Sequence, residues 1–300
     1  MTQQLKITPR PIDFGEDHIK RLLRAFPTGL VVFDLETTGL SSLCDKIIEI
    51  GAVKITHSGE VFEFATLINP EIEIPEKSTA IHGITDEMVK GAPDMESSIK
   101  SFHEFIEDFP LVAHNAQFDI GFIIFQFHLF NIIPKPNNVF CSCQYARKTI
   151  KKSPNHKLST LCKHLDIKLT NHHRAVDDAM ATTELLSHSI KHDSELELIK
   201  RAKIYRLDEF HESTEQSEIH QKIIDITKSE SGAKMIYNGG SLKNTWRPIM
   251  PVGLLPTPRG DVLYAHCLVS DLYKSFLIKK ITEIESCLIE ELEQLKSELA

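Results

Sequence analysis

Two acidic residues close an apolar run in the stretch FDLETTGL, which holds Asp34 and Glu36. Side chains alternate along a strand, so residues two positions apart project from the same face. Two like charges on a face that apolar neighbours would bury are costly unless a cation compensates them. Hard divalent cations prefer carboxylate oxygens, so the pair predicts a metal site. The alternative is that Asp34 only caps a turn that ends at Gly39.

The stretch HHRAVDDA contains two equally spaced pairs, His172 with Asp177 and His173 with Asp178. If a helix begins near Arg174, Asp178 lies on the same helical face as an apolar stripe, and Asp177 lies nearer the solvent edge. The stripe consists of Ala181, Thr182, Leu185 and Leu186. The pair that faces the core is therefore His173 with Asp178, and we expect the other pair to be solvated.

Two further patterns are weak when taken alone. Asp119 lies in the first turn of an expected apolar helix, where the helix dipole favours any acid. Cys141 and Cys143 form a single Cys-x-Cys without a second pair at ligand spacing, so a zinc site stays open only as an alternative. Both patterns need support from other parts of the chain.

Alternating strand and helix patterns predict the α/β class. GLVVFDLE, KIIEIGAVKI and EVFEFATLI are β-branched or alternating runs separated by turn-formers, which predicts three antiparallel strands. Helices and short strands then alternate as far as a long helix at about 175–190. A meander followed by such alternation indicates a mixed sheet covered by helices on both faces.

Composition shifts divide the chain into five segments. Residues 28–190 form the α/β domain, and residues 219–285 contain short strand-like runs that predict a small β-barrel or sandwich. The remaining segments are an N-terminal extension (1–27), a polar, helix-prone linker without a strand signal (191–218) and a C-terminal helix (286–300) with a leucine-rich face.

Residues 28–190 resemble the DEDDh 3′–5′ exonucleases, the DnaQ-like enzymes that include the epsilon subunit of DNA polymerase III. The resemblance rests on Asp34 and Glu36 in FDLETTGL, Asp119 in AHNAQFD, and HRAVDDA. The His-x-Ala-x-x-Asp-Ala spacing fits only His173 with Asp178. The three motifs in this order imply an RNase H-like mixed sheet flanked by helices.

The resemblance implies a hydrolase that releases nucleoside 5′-monophosphates from the 3′ ends of nucleic acid, with DNA favoured over RNA. Asp34, Glu36, Asp119 and Asp178 would hold two Mg²⁺ or Mn²⁺ ions, and Asp34 would bridge them. His173 would take the proton from the attacking water, because its ordinary pKa lies near neutrality. Residues expected to contact the terminal nucleotide are Thr37, Thr38, Gly39, Leu40, His82 and Asn115.

Residues 219–285 resemble the WYL domain, a small Sm-like β-barrel. The resemblance lies in Tyr237, RPIMPVGLL, GDVLYAHC and KSFLIKKITEI, although only Leu263 of the naming tripeptide is present. Lysines at positions 274 and 279 replace the usual arginines, and lysine lacks their bidentate phosphate geometry. Ligand binding by Arg247, Lys274 and Lys279 and a role only in packing or dimerisation both stay open. Self-association or a protein partner is a further expectation for the C-terminal helix.

Charge and hydropathy limit the classes of function. The net charge of −8 argues against a protein that coats DNA everywhere, but residues 147–174 carry eight Lys or Arg and one acid. This segment and a second basic one at 219–282 indicate a local phosphate-binding surface, with a solvated face as the alternative for each, and the exonuclease resemblance implies single-stranded 3′ ends as the partner. No signal-like or membrane-spanning run appears and the six cysteines are scattered, so we expect a cytoplasmic protein. The rival hypotheses are a non-catalytic nucleic-acid binder and a ligand-sensing regulator.

Overall fold

The computed structural model divides into two units, Met1–Asp208 and Glu209–Ala300. The residues that it describes are 14–39, 42, 45–169, 173–200, 204–209, 217–229, 231–240, 242–255 and 261–299. The finer domain boundaries given above stay a prediction. Among the described residues, no helix combines the length and the apolar character that a membrane crossing requires.

The first unit contains a six-stranded sheet in the order β3-β2-β1-β4-β5-β6. Pairs β1–β2, β2–β3 and β5–β6 are antiparallel, and pairs β1–β4 and β4–β5 are parallel. The predicted mixed sheet is therefore confirmed. Its strands are β1 (Gly29–Thr37), β2 (Ile47–Thr56), β3 (Val61–Leu67), β4 (Leu111–Ala113), β5 (Asn138–Cys141) and β6 (Ile204–Arg206).

Helices cover both faces of this sheet. On one face, Leu30 and Val32 of β1 pack with Leu186 of a long helix in a buried cluster. On the other face, the ring of Phe33 lies 5.5 Å from that of Phe102. The helices of this unit are α1 (Glu16–Ala25), α2 (Glu76–His82), α3 (Asp86–Val89), α4 (Met95–Ile106), α5 (Gln117–Leu129), α6 (Ser142–Thr149), α7 (Leu158–Leu165), α8 (Ala175–Lys191) and α9 (Glu197–Lys200).

The second unit contains a five-stranded antiparallel sheet in the order β10-β9-β8-β7-β11. No strand pairing among the described residues joins β10 to β11, so the sheet is open and the predicted barrel is not seen. The elements are α10 (Glu218–Lys228), β7 (Gly232–Tyr237), β8 (Trp246–Leu255), β9 (Val262–Cys267), β10 (Leu272–Leu277), β11 (Ile281–Cys287) and α11 (Ile289–Leu299).

Three sequence predictions differ from the structure. The segment 191–218 was predicted as helix without a strand, yet β6 pairs with β5 at the edge of the sheet, because three residues are too few to give a periodic signal. The run KSFLIKKITEI is two strands, separated by a 3-10 turn at Ile278–Lys280. Arg247 is not available at the surface for a ligand: it is 3% exposed, and its Nη1 lies 3.3 Å from Sγ of Cys267.

Candidate active site

The end of β1 and the start of α8 meet over the paired strand β2. Asp34 and Glu36 of β1 stand opposite Gly51 and Glu49 of β2 in the antiparallel register. A Cβ at Gly51 would overlap the backbone of the first residues of α8, Ala175 and Val176. Glycine is therefore required where the helix lies directly on the strand, and this close approach brings the beginning of α8 to the carboxylates of β1.

Four carboxyl groups converge at this place. Glu36, Asp119 and Asp178 are only 8%, 2% and 5% exposed, and Asp34 is half-buried. Desolvation, followed by the charges of Asp119, Asp178 and Glu36, holds the pKa of Asp34 well above its usual value. Burial in this degree is unusual for acids, which are seldom fully buried without a partner.

Burial and the neighbouring acids also raise the pKa of Glu36. Desolvation is the largest cause that raises its pKa to about 8, and the charges of Asp178, Glu49 and Asp119 act in the same direction. Arg174 acts in the opposite direction. Like charges that raise one another's pKa can be relieved by a retained proton or by a bound cation.

Asp119 lies in the first turn of α5, directly after β4. Desolvation raises its pKa to about 7, although hydrogen bonds from the backbone amides of Asp119 and Leu35 lower it. Leu35 is the residue between Asp34 and Glu36, so α5 places its acid at the same strand end. An acid that only complemented the helix dipole would lie in solvent, and the burial of Asp119 therefore argues against that alternative.

His173 and Asp178 flank the start of α8. The backbone N–H of His173 donates to Oδ2 of Asp178 at 3.3 Å, and His173 has a left-handed φ of 69°. One potential ligand atom each of Glu36, His173 and Asp178 lies within 4.8 Å of the others. Asp178 is on the buried face of the helix, as the helical periodicity predicted, whereas Asp177 is half-buried and not fully solvated. His172 lies outside the described residues.

The hydroxyls predicted to contact a nucleotide are engaged within their own loop. Oγ1 of Thr37 donates to the carbonyl of Gly39 at 2.6 Å, and Oγ1 of Thr38 accepts from the amide of Lys46 at 2.9 Å. Both threonines are buried. A Cβ at Gly39 would overlap the carboxyl group of Asp45, so glycine is needed there for close approach. Leu40 lies outside the described residues.

The other two residues predicted to contact the nucleotide, His82 and Asn115, differ in exposure. His82 is 6% exposed, and its Nδ1 accepts from the amide of Ile84 at 3.0 Å, while its Nε2 is buried without a hydrogen-bond partner. Desolvation lowers the pKa of His82, and the charges of Glu49 and His173 also act on it, so it belongs to the same neighbourhood. Asn115 is exposed and has a left-handed φ of 71° where β4 leads into α5.

Sequence reasoning missed an ion pair between the buried carboxylate of Glu49 and the half-buried Arg174, beside the four acids. Glu49 is 2% exposed and accepts from Nη2 of Arg174 at 2.6 Å and from the amide of Ala175 at 2.9 Å. The available signal was an acid at the centre of the apolar run IIEIGAV, where an uncompensated charge is costly.

Comparisons with known proteins agree with this geometry. The RNase_T family model, described as "Exonuclease", matches residues 31–186, just over half of the chain. The chain is 33% identical over 284 residues to a DNA polymerase III PolC-type of Halalkalibacterium halodurans, covering 92% of this chain and 19% of the relative. It is 38% identical over 262 residues to the PolC-type of Clostridium perfringens, covering 84% and 18%. It thus spans about a fifth of the length of these relatives.

A solved structure titled "Product bound structure of exonuclease I" is similar to this one with a TM-score of 0.50. The match covers 91% of this chain and 68% of the other at 12% identity. At that identity the likeness concerns the fold alone.

Proposed function

This chain belongs to the RNase_T family of exonucleases, and from that membership we propose that it removes nucleoside 5′-monophosphates from single-stranded 3′ ends of DNA with two divalent metal ions. The predicted class of enzyme, a 3′–5′ exonuclease, is confirmed by the family match. The choice of DNA is supported by the curated relatives, which are described as DNA polymerases.

The observation that carries the proposal is the meeting of four carboxyl groups at one end of β1. Asp34, Glu36 and Asp119 all have raised pKa values, so their ionised forms need a positive partner. An all-oxygen donor set of this kind fits Mg²⁺ or Mn²⁺. These three residues and Asp178 would hold the ions, which when bound supply positive charge to the attacking and leaving oxygens.

We assign proton transfer to His173. Its side chain is half-buried and therefore open on one side to an incoming water molecule. Its ring is within reach of Glu36 and Asp178, so it lies where the phosphodiester would be held. A histidine in this position would take the proton from the attacking water at neutral pH, and the carboxylates would hold the metal ions that contact the phosphate.

A basic surface is proposed to bind the substrate strand. Four lysines from the last turn of α6 to the residue before α7 are exposed, in a segment that is almost free of acids. Phosphate contacts from such side chains would offset the overall negative charge of the chain. The four residues are Lys148, Lys151, Lys152 and Lys157.

Two further elements of the proposal concern location and the second unit. Five cysteines of the described residues are free thiols, which supports the cytoplasm as the compartment. We also propose that the second unit is a WYL-like domain that either binds nucleic acid at a second place or mediates self-association. The free thiols are Cys141, Cys143, Cys162, Cys267 and Cys287.

Digestion of 5′-labelled oligonucleotides tests the proposal. Single-stranded DNA, duplex DNA and RNA of the same sequence are incubated with the protein and Mg²⁺ or Mn²⁺, with excess chelator as the control. We expect single-nucleotide shortening from the 3′ end, fastest on single-stranded DNA. Binding without shortening in either metal would instead support the non-catalytic binder, and faster shortening of RNA would contradict the choice of DNA.

A further inference from the structure

Glu49 is a fifth carboxylate beside the four proposed metal ligands, and its oxygens are already occupied. Oε1 accepts from Nη2 and Nε of Arg174 at 2.6 and 3.1 Å. Oε2 accepts from the amide of Ala175 at 2.9 Å and from Nε of Arg174 at 3.2 Å. A carboxylate whose two oxygens hold an arginine and a helix N-terminus is not free to coordinate a metal ion.

The partners of Glu49 are the two residues that follow His173. Arg174 is the N-cap of α8 and Ala175 is its first residue, so Glu49 holds the beginning of the helix that carries Asp178. His173, immediately before them, has a left-handed backbone, which is unfavourable for a residue other than glycine. Surrounding contacts must therefore keep this residue in place.

We propose that Glu49 is a positioning residue that fixes His173 and Asp178 relative to Glu36 through its contacts with Arg174 and Ala175. Glu49 stands directly opposite Glu36 in the β1–β2 register, and side chains of such a pair lie on the same face. The β1–β2 pair thus carries Glu36, a proposed metal ligand, on β1, and Glu49, which holds the residues next to His173, on β2. The inference rests on the proposed function of His173 and Asp178.

Glu49→Gln tests this role, because it keeps the size of the side chain and replaces one acceptor oxygen with an NH₂ donor. That donor must face either Arg174 or the amide of Ala175, which are donors themselves. We expect a fall in kcat of about 10–100-fold, the usual cost of losing a partner that orients a site residue. KM should stay within about two-fold, because substrate contacts are unchanged.

Asp193→Asn is the matched control. Asp193 is 6% exposed and, like Glu49, accepts from backbone amides at the start of a helix, those of Leu198 and Ile199 at 3.0 Å. It also accepts a hydrogen bond from the hydroxyl of Tyr145 at 2.8 Å. The control should lose thermal stability but keep kcat within about two-fold of wild type. Equal losses of kcat in the two variants would reduce Glu49 to a structural residue and overturn the proposal.

Two further measurements separate this inference from the proposed function. In a His173→Ala background, Glu49→Gln should cost less activity than it does in wild type, because the part of its effect that acts through His173 is already lost; an undiminished loss would contradict the proposal. In metal-free protein, the ring resonance of His173, identified by its absence from the His173→Ala spectrum, should move or broaden in Glu49→Gln and not in Asp193→Asn. An unchanged resonance would overturn the inference even if the nuclease assay succeeded, and a moved resonance would support it even if that assay failed.

Discussion

The backbone amide of His173 donates a hydrogen bond of 3.3 Å to Oδ2 of Asp178, five residues further along the chain. The contact ties a proposed base to a proposed metal ligand through the main chain. The imidazole takes no part in this bond, so removing the ring leaves the connection to the helix intact. The chemical role of His173 can therefore be tested separately from the position of Asp178.

His173→Ala should lower kcat by about 10²–10⁴-fold, the usual contribution of a general base. KM and the affinity for Mn²⁺ should change little, because the base acts in the chemical step. Steady-state cleavage of a labelled oligonucleotide and a thermal-shift titration with Mn²⁺ measure the two effects. His172→Ala, at the neighbouring position that we predict to be solvated, is the control and should be mild. If the two variants lose activity equally, the assignment to His173 is wrong.

Removal of metal or of a ligand should abolish cleavage. Asp34→Asn and Asp178→Asn should both be inactive, as should wild type in excess chelator. Because an ion that binds only the folded state stabilises it, Mn²⁺ at about 100 times its Kd should add about 2.7 kcal/mol to the free energy of unfolding of wild type for each ion bound. The two variants should gain less in the same denaturant titration. Undiminished cleavage in chelator would exclude the metal mechanism.

The stability of the metal-free protein should depend on pH through Glu36. Its pKa is about 8 in the fold against 4.5 for the free side chain, so the folded state holds the proton more tightly. The contribution of Glu36 to the free energy of unfolding is therefore greatest below pH 4.5. It falls as the pH rises towards 8, by about 1.4 kcal/mol per pH unit.

Urea denaturation in chelator at pH 5 to 8 measures this slope. Glu36→Gln carries no titrating group at this position, so its slope should be flatter than that of wild type by about 1.4 kcal/mol per unit. Saturating Mn²⁺ should flatten the wild-type slope as well. Parallel slopes for variant and wild type would show that Glu36 ionises in the fold as it does in water.

Local periodicity accounts for the part of the site that the sequence predicted. The placement of Asp34 with Glu36 follows from alternation along one strand, and that of Asp178 from the repeat of one helix. Glu49 was missed because its partner Arg174 is 125 positions away, and no local pattern reports such a contact. Gly51 was missed for the same reason, because only the packing of α8 makes its missing side chain necessary.

The hydrogen bonds within the loop that was predicted to contact the substrate show a different limit of prediction from sequence. Thr37 and Thr38 have the residue type that a nucleotide contact needs, but their hydroxyls bond Gly39 and Lys46. A sequence shows which groups can donate and accept, whereas the partners depend on how the loop closes. The second unit shows the same limit, because its strand-forming residues do not reveal whether the outer strands meet.

Gly51→Ala should displace the start of α8 from the sheet. The new Cβ would overlap the backbone of Ala175 and Val176, so the variant should lose about 1–3 kcal/mol of stability, the usual cost of overpacking. Activity should fall at temperatures where the variant is still folded, because Asp178 moves with the helix. Gly121→Ala in α5 is the control: among the described residues, its Cβ would approach only Oγ of Ser42, at 3.7 Å. Urea denaturation and cleavage assays compare the two, and equal effects would contradict close packing at Gly51.

Neutralising the four exposed lysines from the last turn of α6 to the residue before α7 should weaken binding of the substrate strand without slowing its cleavage. Replacement of all four by glutamine should raise KM and reduce the slope of log K against log salt by up to about 3, since each contact with a single-stranded phosphate contributes about 0.7. The change in kcat should be small, because phosphate contacts form equally in the ground and transition states. Fluorescence anisotropy of a labelled oligonucleotide at several salt concentrations, with catalysis prevented by Asp34→Asn, measures the slope.

A control variant with four other exposed lysines replaced should keep the wild-type slope. Equal slopes in both variants would show that the substrate strand follows another path. The test residues are Lys148, Lys151, Lys152 and Lys157, and the control residues are Lys20, Lys100, Lys191 and Lys200.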